Sequence, residues 1–384
     1  MKAYIKKAVK ELQDSDKLKV EIHLKNKNDY KKNFLRVAYN KTLLFLQTRI
    51  IPSHFKNWLL RTTGMNVGYD CCIPHYIKFD PYFPELIYLK NGCLVGGDTR
   101  LITHQVKGNR LILGKNIVEE RVLVGGLSGL LPGSVINKDS ILMFFSDLDG
   151  VIPKGQLWGG KPHAKFVMNF SAEEIDKFFK PSNGKHKDYY KEARAKINEF
   201  LENPKSTYLK IHYNGKRLNA GDDWWRARNI FRIWYNGILV ELSRLLPHCR
   251  LKTLLLRMVG VKLGKNVKIG RRVVFDHLYG DLVSVGDNSV IEDDVYFDGH
   301  EYTITQTVFA KTNVGKNVHI RRGTYVRPGT QIGDNTTIEP YSFAQRDIEA
   351  NAVYAGNPAK LIHQKENKDN KQEKRESKKW TGRS

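Results

Sequence analysis

Six apolar residues fall at strict six-residue intervals in this chain: Val314, Ile320, Val326, Ile332, Ile338 and Ala344. Half-buried strands alternate with a period of two and helices repeat about every 3.6 residues, so neither element accounts for a period of six. Short strands joined by tight turns do account for it. Stacked as the coils of a parallel β-helix, they turn one apolar side chain inward per hexad. Two earlier runs keep the spacing, Leu263, Ile269 and Phe275, then Val285, Ile291 and Phe297. Gly264, Gly270, Asp276, Gly286, Gly315 and Gly333 follow such residues directly, as turn formers should.

A longer repeat organises the whole 384-residue chain. Shifted by 196 residues, 35–104 lies on 231–300 without a gap and gives seventeen identities. Arg36, Asn40, Lys56, Arg61, Asp80 and His104 are among them. The ends agree too, Trp158-Gly-Gly-Lys-Pro162 with Tyr354-Ala-Gly-Asn-Pro358, and a lead-in strand at 18–23 resembles 209–212. The chain therefore reads as one unit of about 180 residues written twice. Residues 1–168 form the first unit, a helical lead-in plus a β-helix from about 55. Residues 169–234 are a helical linker and the lead-in of the second unit, and 235–363 hold its helix and a β-helix from about 250. The basic tail, 364–384, has no periodicity and is expected to be disordered. In the first copy Val67, Ile73 and Phe79, then Leu89, Val95 and Leu101, keep the hexad. Past Leu113 the count puts Glu119 and Gly125 on inward positions, which predicts a distorted stack there.

Helical segments precede both stacks. One covers 34–51 and stops at Pro52, the other covers 224–246 and stops at Pro247, with Asp222-Asp223 as its cap. Trp224, Trp225, Arg226, Arg228, Phe231 and Arg232 make the second aromatic and basic. Such a helix either caps the open end of the coils or meets a membrane surface. Residues 172–180 and 188–201 of the linker read as amphipathic helices.

The chain has 64 Lys and Arg against 40 Asp and Glu, a net charge of +24. That excess predicts an anionic partner: nucleic acid, an anionic membrane face or a phosphorylated ligand. No nucleic-acid module is recognisable, so no nucleic-acid partner is expected. Cys71, Cys72, Cys93 and Cys249 form no CxxC pair and are read as reduced thiols of a cytosolic protein. The start has no apolar core of a signal peptide, and the longest uncharged run, 122–137, is too short and glycine-broken to span a bilayer. The expected place is the cytoplasm, with peripheral attachment at the inner membrane face as an extension of that reading. No Walker loop, GxGxxG, HExxH or zinc-finger spacing is present, and no metal is expected.

The hexads, closed by Ala355-Gly-Asn-Pro-Ala-Lys360, resemble the hexapeptide-repeat acyltransferases with a left-handed β-helix, among them the maltose, galactoside and xenobiotic acetyltransferases. Phe79-Asp-Pro-Tyr-Phe-Pro-Glu-Leu-Ile87 with Ile102-Thr-His104, and Phe275-Asp276 with Asp298-Gly-His-Glu-Tyr-Thr303, resemble a branch acting on surface glycans. The resemblance covers roughly 55–168 and 250–363. It implies a homotrimer with sites in clefts between neighbouring β-helices, acetyl-CoA as acyl donor, and a histidine as general base. His300 and His104 hold the matching positions. Gly356, Asn357 and Lys360, with Lys165 as first-copy counterpart, are implied to bind the CoA, and Arg321, Arg322 and Arg327 lie where its phosphates could be met.

The chemistry agrees: an alcohol is a poor nucleophile at neutral pH, and an imidazole can take its proton as it attacks a thioester. Glu301 follows His300 and is positioned to orient or stabilise its imidazolium; Gln105 follows His104. The stretch from His300 to Gly315 is five residues longer than that from His104 to Gly114, so the first copy reads either as a second site or as an assembly element. Asp80 and Asp276 are either turn residues or contacts to the acceptor hydroxyl. The expected function is O-acetyl transfer from acetyl-CoA to a hydroxyl of a sugar, glycan or glycolipid precursor. The alternatives are a non-catalytic scaffold binding an anionic membrane or polyanion, and a γ-type carbonic anhydrase, which needs three histidines converging across an interface, although His277, His300 and His319 lack the expected close pair of histidines downstream.

Overall fold

The computed structural model describes residues 1–50, 52–179, 186–212, 228–303 and 306–365. The Asp222-Asp223 cap, Trp224, Trp225, Arg226 and the tail after Lys365 lie outside the described residues. The chain divides into two compact units, built chiefly of 1–189 and of 225–384, with 190–211 belonging to the second.

In the first unit, mostly two-residue strands stack in parallel on three sides. Val67, Leu89, Val118, Ile136 and Ile152 lie over one another on one side. Phe79, Leu101, Leu130 and Leu148 line the next, and Val95, Val124, Leu142 and Trp158 the third. The second unit repeats the plan with Leu263, Val285, Val314 and Ile332, then Ile269, Ile291, Ile320, Ile338 and Tyr354, then Phe275, Phe297, Val326 and Ala344. Successive hexads step from side to side, so every inward residue meets apolar neighbours from the coils above and below. The parallel coils fit a left-handed β-helix.

The expected distortion past Leu113 is absent. Val118, Val124, Leu130, Ile136, Leu142 and Leu148 run six apart and are at most 2% exposed. Leu113 itself lies on a hairpin and packs with Ile5, Leu12 and Leu111 in a separate cluster, so counting from it starts the phase one residue late. Turn chemistry hid the register as well. Asn266, Asn288, Asn317, Asn335 and Asn351 fill left-handed turn positions in the second unit, and Asn317 Nδ2 donates to Asn335 Oδ1 at 3.0 Å. Arg121, Leu127 and Phe145 occupy such positions in the first, where an ordinary L-residue costs roughly 1–2 kcal/mol. Glycine is required where coils nearly touch: a Cβ on Gly270 would sit 2.5 Å from Asp293 Oδ1, the oxygen that accepts from Arg271 N at 2.7 Å.

A helix pair heads each stack, Phe34–Leu46 with His54–Thr62, and Ile230–Leu245 with Arg250–Val259. The first strands of the coils follow at Asn66–Val67 and Lys262–Leu263. The caps are Asn33 and Asn229, whose side chains accept from Leu35 N and Phe231 N. Many of the repeated identities fasten these helices to the coils. Buried Lys56 donates to the carbonyls of Ile50 at 3.1 Å and Pro74 at 2.7 Å, and Lys252 to those of Leu246 at 3.3 Å and Gly270. Burial pulls Lys56 down to about 7 and Lys252 to about 8. Arg61 and Arg257 hold the carbonyls of Val67 and Leu263 in the same way.

After the second coil of each unit the chain leaves the stack as a hairpin, His104–Lys107 with Arg110–Gly114, and His300–Tyr302 with Gln306–Ala310. The lead-in strand Lys19–His23 runs antiparallel to Arg110–Gly114, and Tyr208–His212 lies beside Gln306–Ala310. Gly114 N bonds Thr103 O at 2.9 Å where Ala310 N bonds Gly299 O at 3.0 Å. Ala310, 196 residues on, is therefore the counterpart of Gly114. The two hairpins are equal in length, and the five-residue excess counted to Gly315 disappears.

Candidate active site

Each hairpin opens on a histidine whose Nδ1 meets a buried carboxylate one coil below: His300 with Oδ2 of Asp276, and His104 with Oδ2 of Asp80. Asp276 also accepts from the backbone N–H of Leu278 at 2.8 Å, Tyr279 at 2.9 Å and Gly299 at 2.8 Å. Asp80 accepts from Tyr82 N at 2.9 Å, Thr103 N at 3.2 Å and the Thr103 hydroxyl at 2.8 Å. Burial alone would push both carboxyls up. The imidazole's charge and hydrogen bond, with the donors around each oxygen, outweigh it and hold both below the usual carboxylate range. Burial alone would lower His300; the negative charge of Asp276 and its hydrogen bond, then Asp298 and Glu301, raise it instead. An imidazole donating from Nδ1 in its neutral form carries its basic lone pair on Nε2.

The rings that set the imidazoles correspond too. His300 meets Tyr279 edge-on at 5.4 Å between centroids, and His104 meets Phe83 at 5.3 Å and Tyr82 at 5.4 Å. Arg228 lies over Tyr279 and pairs with Asp281 at 2.6 Å, as Lys32 lies over Phe83 and pairs with Glu85 at 2.6 Å. Tyr30 adds a further ring beside His104.

Glu301 has a different partner from the one expected. Its two oxygens take Arg327 at 2.7 and 2.8 Å, while Asp276 orients the imidazole and Glu301 adds negative charge nearby. Asp276 and Asp80 do form the Asx turns expected of them, and in addition they bind the histidines. The repeated 24-residue spacing of Asp and His, one coil's step, was the available signal. Asp298 was missed. Burial and the charge of Asp276 push it up to about 6, and the Tyr325 hydroxyl donates to it at 2.7 Å. Ile102 and Gly129 stand at the matching positions of the first copy, so this pair distinguishes the second site.

Gly356, Asn357 and Lys360 lie together in the turn that closes the second stack. Gly356 has φ +99° and donates its N–H to the Ser342 hydroxyl at 3.1 Å, as Gly160, φ +115°, donates to Ser146 at 2.9 Å. Lys360 and Lys165 open exposed antiparallel strands, Lys360–Gln364 and Lys165–Asn169. Arg321 pairs with Glu339, Arg322 with Asp293 and Arg327 with Glu301, so all three arginines already hold carboxylates. Within one chain the three histidines weighed for a metal each face a different carboxylate: His277 bonds Glu241, His319 bonds Glu292 and His300 bonds Asp276. Among the described residues, no three His, Cys, Asp or Glu side chains are grouped to hold a metal ion.

The family model for the bacterial transferase hexapeptide (six repeats) matches residues 311–343, the most regular coils of the second unit. Delta-poly-L-ornithine synthetase of Acinetobacter baumannii (strain AB307-0294) is 21% identical over 368 residues, 81% of this chain but 27% of that protein. The inferred colanic acid biosynthesis acetyltransferase WcaF of Escherichia coli (strain K12) is 27% identical over 37% of this chain and 85% of its own length. The inferred acetyltransferase YvoF of Bacillus subtilis (strain 168) is 30% identical over 132 residues, 34% of this chain and 77% of YvoF. On that match and the hexapeptide coils, the chain belongs to the bacterial hexapeptide-repeat acetyltransferases.

Proposed function

We propose that this chain, two copies of one β-helical unit, moves an acetyl group from acetyl-CoA to a hydroxyl of a sugar, glycan or glycolipid precursor. The observation that carries this reading is the buried Asp–His pair, built twice at the same place in the coils. His300 Nε2 takes the proton of the acceptor hydroxyl as its oxygen attacks the thioester carbonyl carbon. Asp276 holds Nδ1–H and stabilises the imidazolium that forms, and the same proton then goes to the departing sulfur as the C–S bond breaks. Acetyl-CoA supplies the activated carbonyl. Lys360, exposed beside Gly356 and Asn357, and Lys165 in the first copy, are suited to meet its phosphates. Tyr30 and Tyr82, half-buried beside His104, suit the apolar face of a sugar ring. The printed role of WcaF in colanic acid biosynthesis supports a polysaccharide-type acceptor. The working assembly in this reading is a homotrimer, for which light scattering should give three chains per particle.

Incubation with acetyl-CoA and a panel of mono- and oligosaccharides, followed by mass spectrometry and mild alkaline treatment, tests the reading. An alkali-labile O-acetyl ester on a sugar is the expected product. Acetyl groups found only on amines would overturn the hydroxyl acceptor, and acetyl groups on no acceptor would overturn the transfer reading and favour a scaffold.

A further inference from the structure

We infer that the outer face of the helix pair heading the second unit docks on an anionic lipid surface. The inner face of Ile230–Leu245 buries Ile233, Asn236, Leu239, Val240 and Ser243. The outer face leaves Phe231 81%, Trp234 58%, Ile238 56%, Leu242 47% and Leu245 79% exposed. Spacings of three and four put these five on one stripe. Arg250–Val259 does the same with Leu251 and Leu254, both 54% exposed, and Met258, 41%. So many large apolar groups facing outward mark an interaction surface rather than ordinary surface variation.

Charge selects the occupant. Residues 230–259 carry Arg232, Arg244, Arg250 and Arg257, besides buried Lys252, against one acid, Glu241, which already bonds Arg244 and His277, each at 2.8 Å. Arg250 and Arg257 are exposed. Basic residues around an apolar stripe that includes Trp are what an anionic interface attracts, at about 1 kcal/mol per cation near the surface. A second copy of the same face would instead bring like charges together. The first unit repeats the composition independently. Its 34–62 segment has Arg36, Lys41, Arg49 and Arg61, besides buried Lys56, and no acid, and Phe34, Leu35, Phe45, Phe55 and Trp58 are 55–80% exposed. Two arginines that suggested membrane contact in the sequence face the protein: Arg228 pairs with Asp281, and Arg232 holds the carbonyl of Val259 at 3.1 Å. Among the described residues no helix is long and apolar enough to cross a membrane, which fits a surface dock. Resting on the transfer reading above, such a dock would bring the coils to a lipid-linked hydroxyl acceptor.

Co-sedimentation of the full chain with phosphatidylglycerol–phosphatidylcholine vesicles, and with phosphatidylcholine alone, tests the dock without any turnover. Its failure is therefore distinct from failure of the transfer reading. Binding to the anionic vesicles should fall at least tenfold in Trp234→Ser/Ile238→Ser and measurably in Leu245→Ser, a helix-end change that spares the core. Circular dichroism and acetyl transfer to a soluble acceptor should be unchanged. Full binding by a folded variant would place the attraction elsewhere in the chain and overturn the inference. So would equal binding to both vesicle types, or an oligomer that these substitutions dissolve.

Discussion

His300 holds its Nδ1 against Oδ2 of Asp276, a carboxylate 24 residues earlier in the chain and one coil below it in the stack. The pairing ties a reactive side chain to the regular part of the fold. Strands Val274–Phe275 and Tyr296–Phe297 are hydrogen-bonded neighbours, so the separation of the two groups is set by the coil rise, not by a flexible loop.

Replacing that carboxylate should cost catalysis more than stability. In a His104→Ala background, which silences the first site, Asp276→Asn should lower kcat by about 10²-fold or more, because the amide neither fixes the tautomer nor offsets the imidazolium charge. Steady-state kinetics with an unchanged KM for acetyl-CoA would fit. A kcat within twofold of the background would show that the pair is structural only.

The pH profile should report the raised His300. A general base must be neutral to accept a proton, so kcat/KM in the His104→Ala protein should rise with pH, with its midpoint above the ordinary imidazole value of ~6.5. Asp298→Asn and Glu301→Gln each remove a negative charge beside the ring and should move the midpoint down. The linked stability runs the other way: a raised His contributes stability that is full below its unfolded value and lost as pH rises through its folded one. A midpoint at or below ~6.5 would contradict the assignment.

Lys56 gives a stability test away from the chemistry. Burial lowers it to about 7, so the unfolded chain binds more protons than the folded one between there and the ordinary lysine value. Stability from this group is full above the unfolded value and is lost as pH falls toward 7. The wild type should therefore gain stability between pH 7.5 and 9, by at most about 1.4 kcal/mol per pH unit. Lys56→Met should flatten that rise in chemical denaturation. A slope that survives the substitution would assign it to other groups.

Asn335 should matter as a turn residue. It sits at φ +59°, accepts from Asn317 and donates to Asn351 at 2.9 Å. Asn335→Ala should cost about 1–2 kcal/mol, the left-handed penalty for an ordinary residue. Denaturant unfolding checks this, and no measurable loss would mean that the side-chain ladder and the turn preference contribute little.

The coils were legible because the second copy fulfils most local rules at once. Val314 to Ala344 alternate inward apolar residues with Gly and Asn turns, Tyr341 being the exception, and period and packing agree. The first copy also keeps the hexad, from Val118 to Leu148, but Leu113 belongs to the hairpin, so a count carried through it falls one residue out of phase. His104 and His300 stood out by their shared offset. The role of Asp80 and Asp276 did not, because an Asp after a hexad residue is already explained by its turn. Their contact with the histidines depends on stacking, which no single coil's sequence contains. Asp298 was hidden for the same reason: its partner Tyr325 is 27 residues away, one coil further on.

Acetyl-CoA-dependent release of thiol, measured with one saturating sugar acceptor for the wild type, His104→Ala, His300→Ala and the double variant, tests the central claim most directly. Each single variant should retain the turnover of the remaining pair. The double variant should fall by roughly 10²–10⁴-fold while its circular dichroism stays native. A folded double variant that releases thiol and acetylates the acceptor at the wild-type rate would contradict the claim that these two Asp–His pairs carry the reaction.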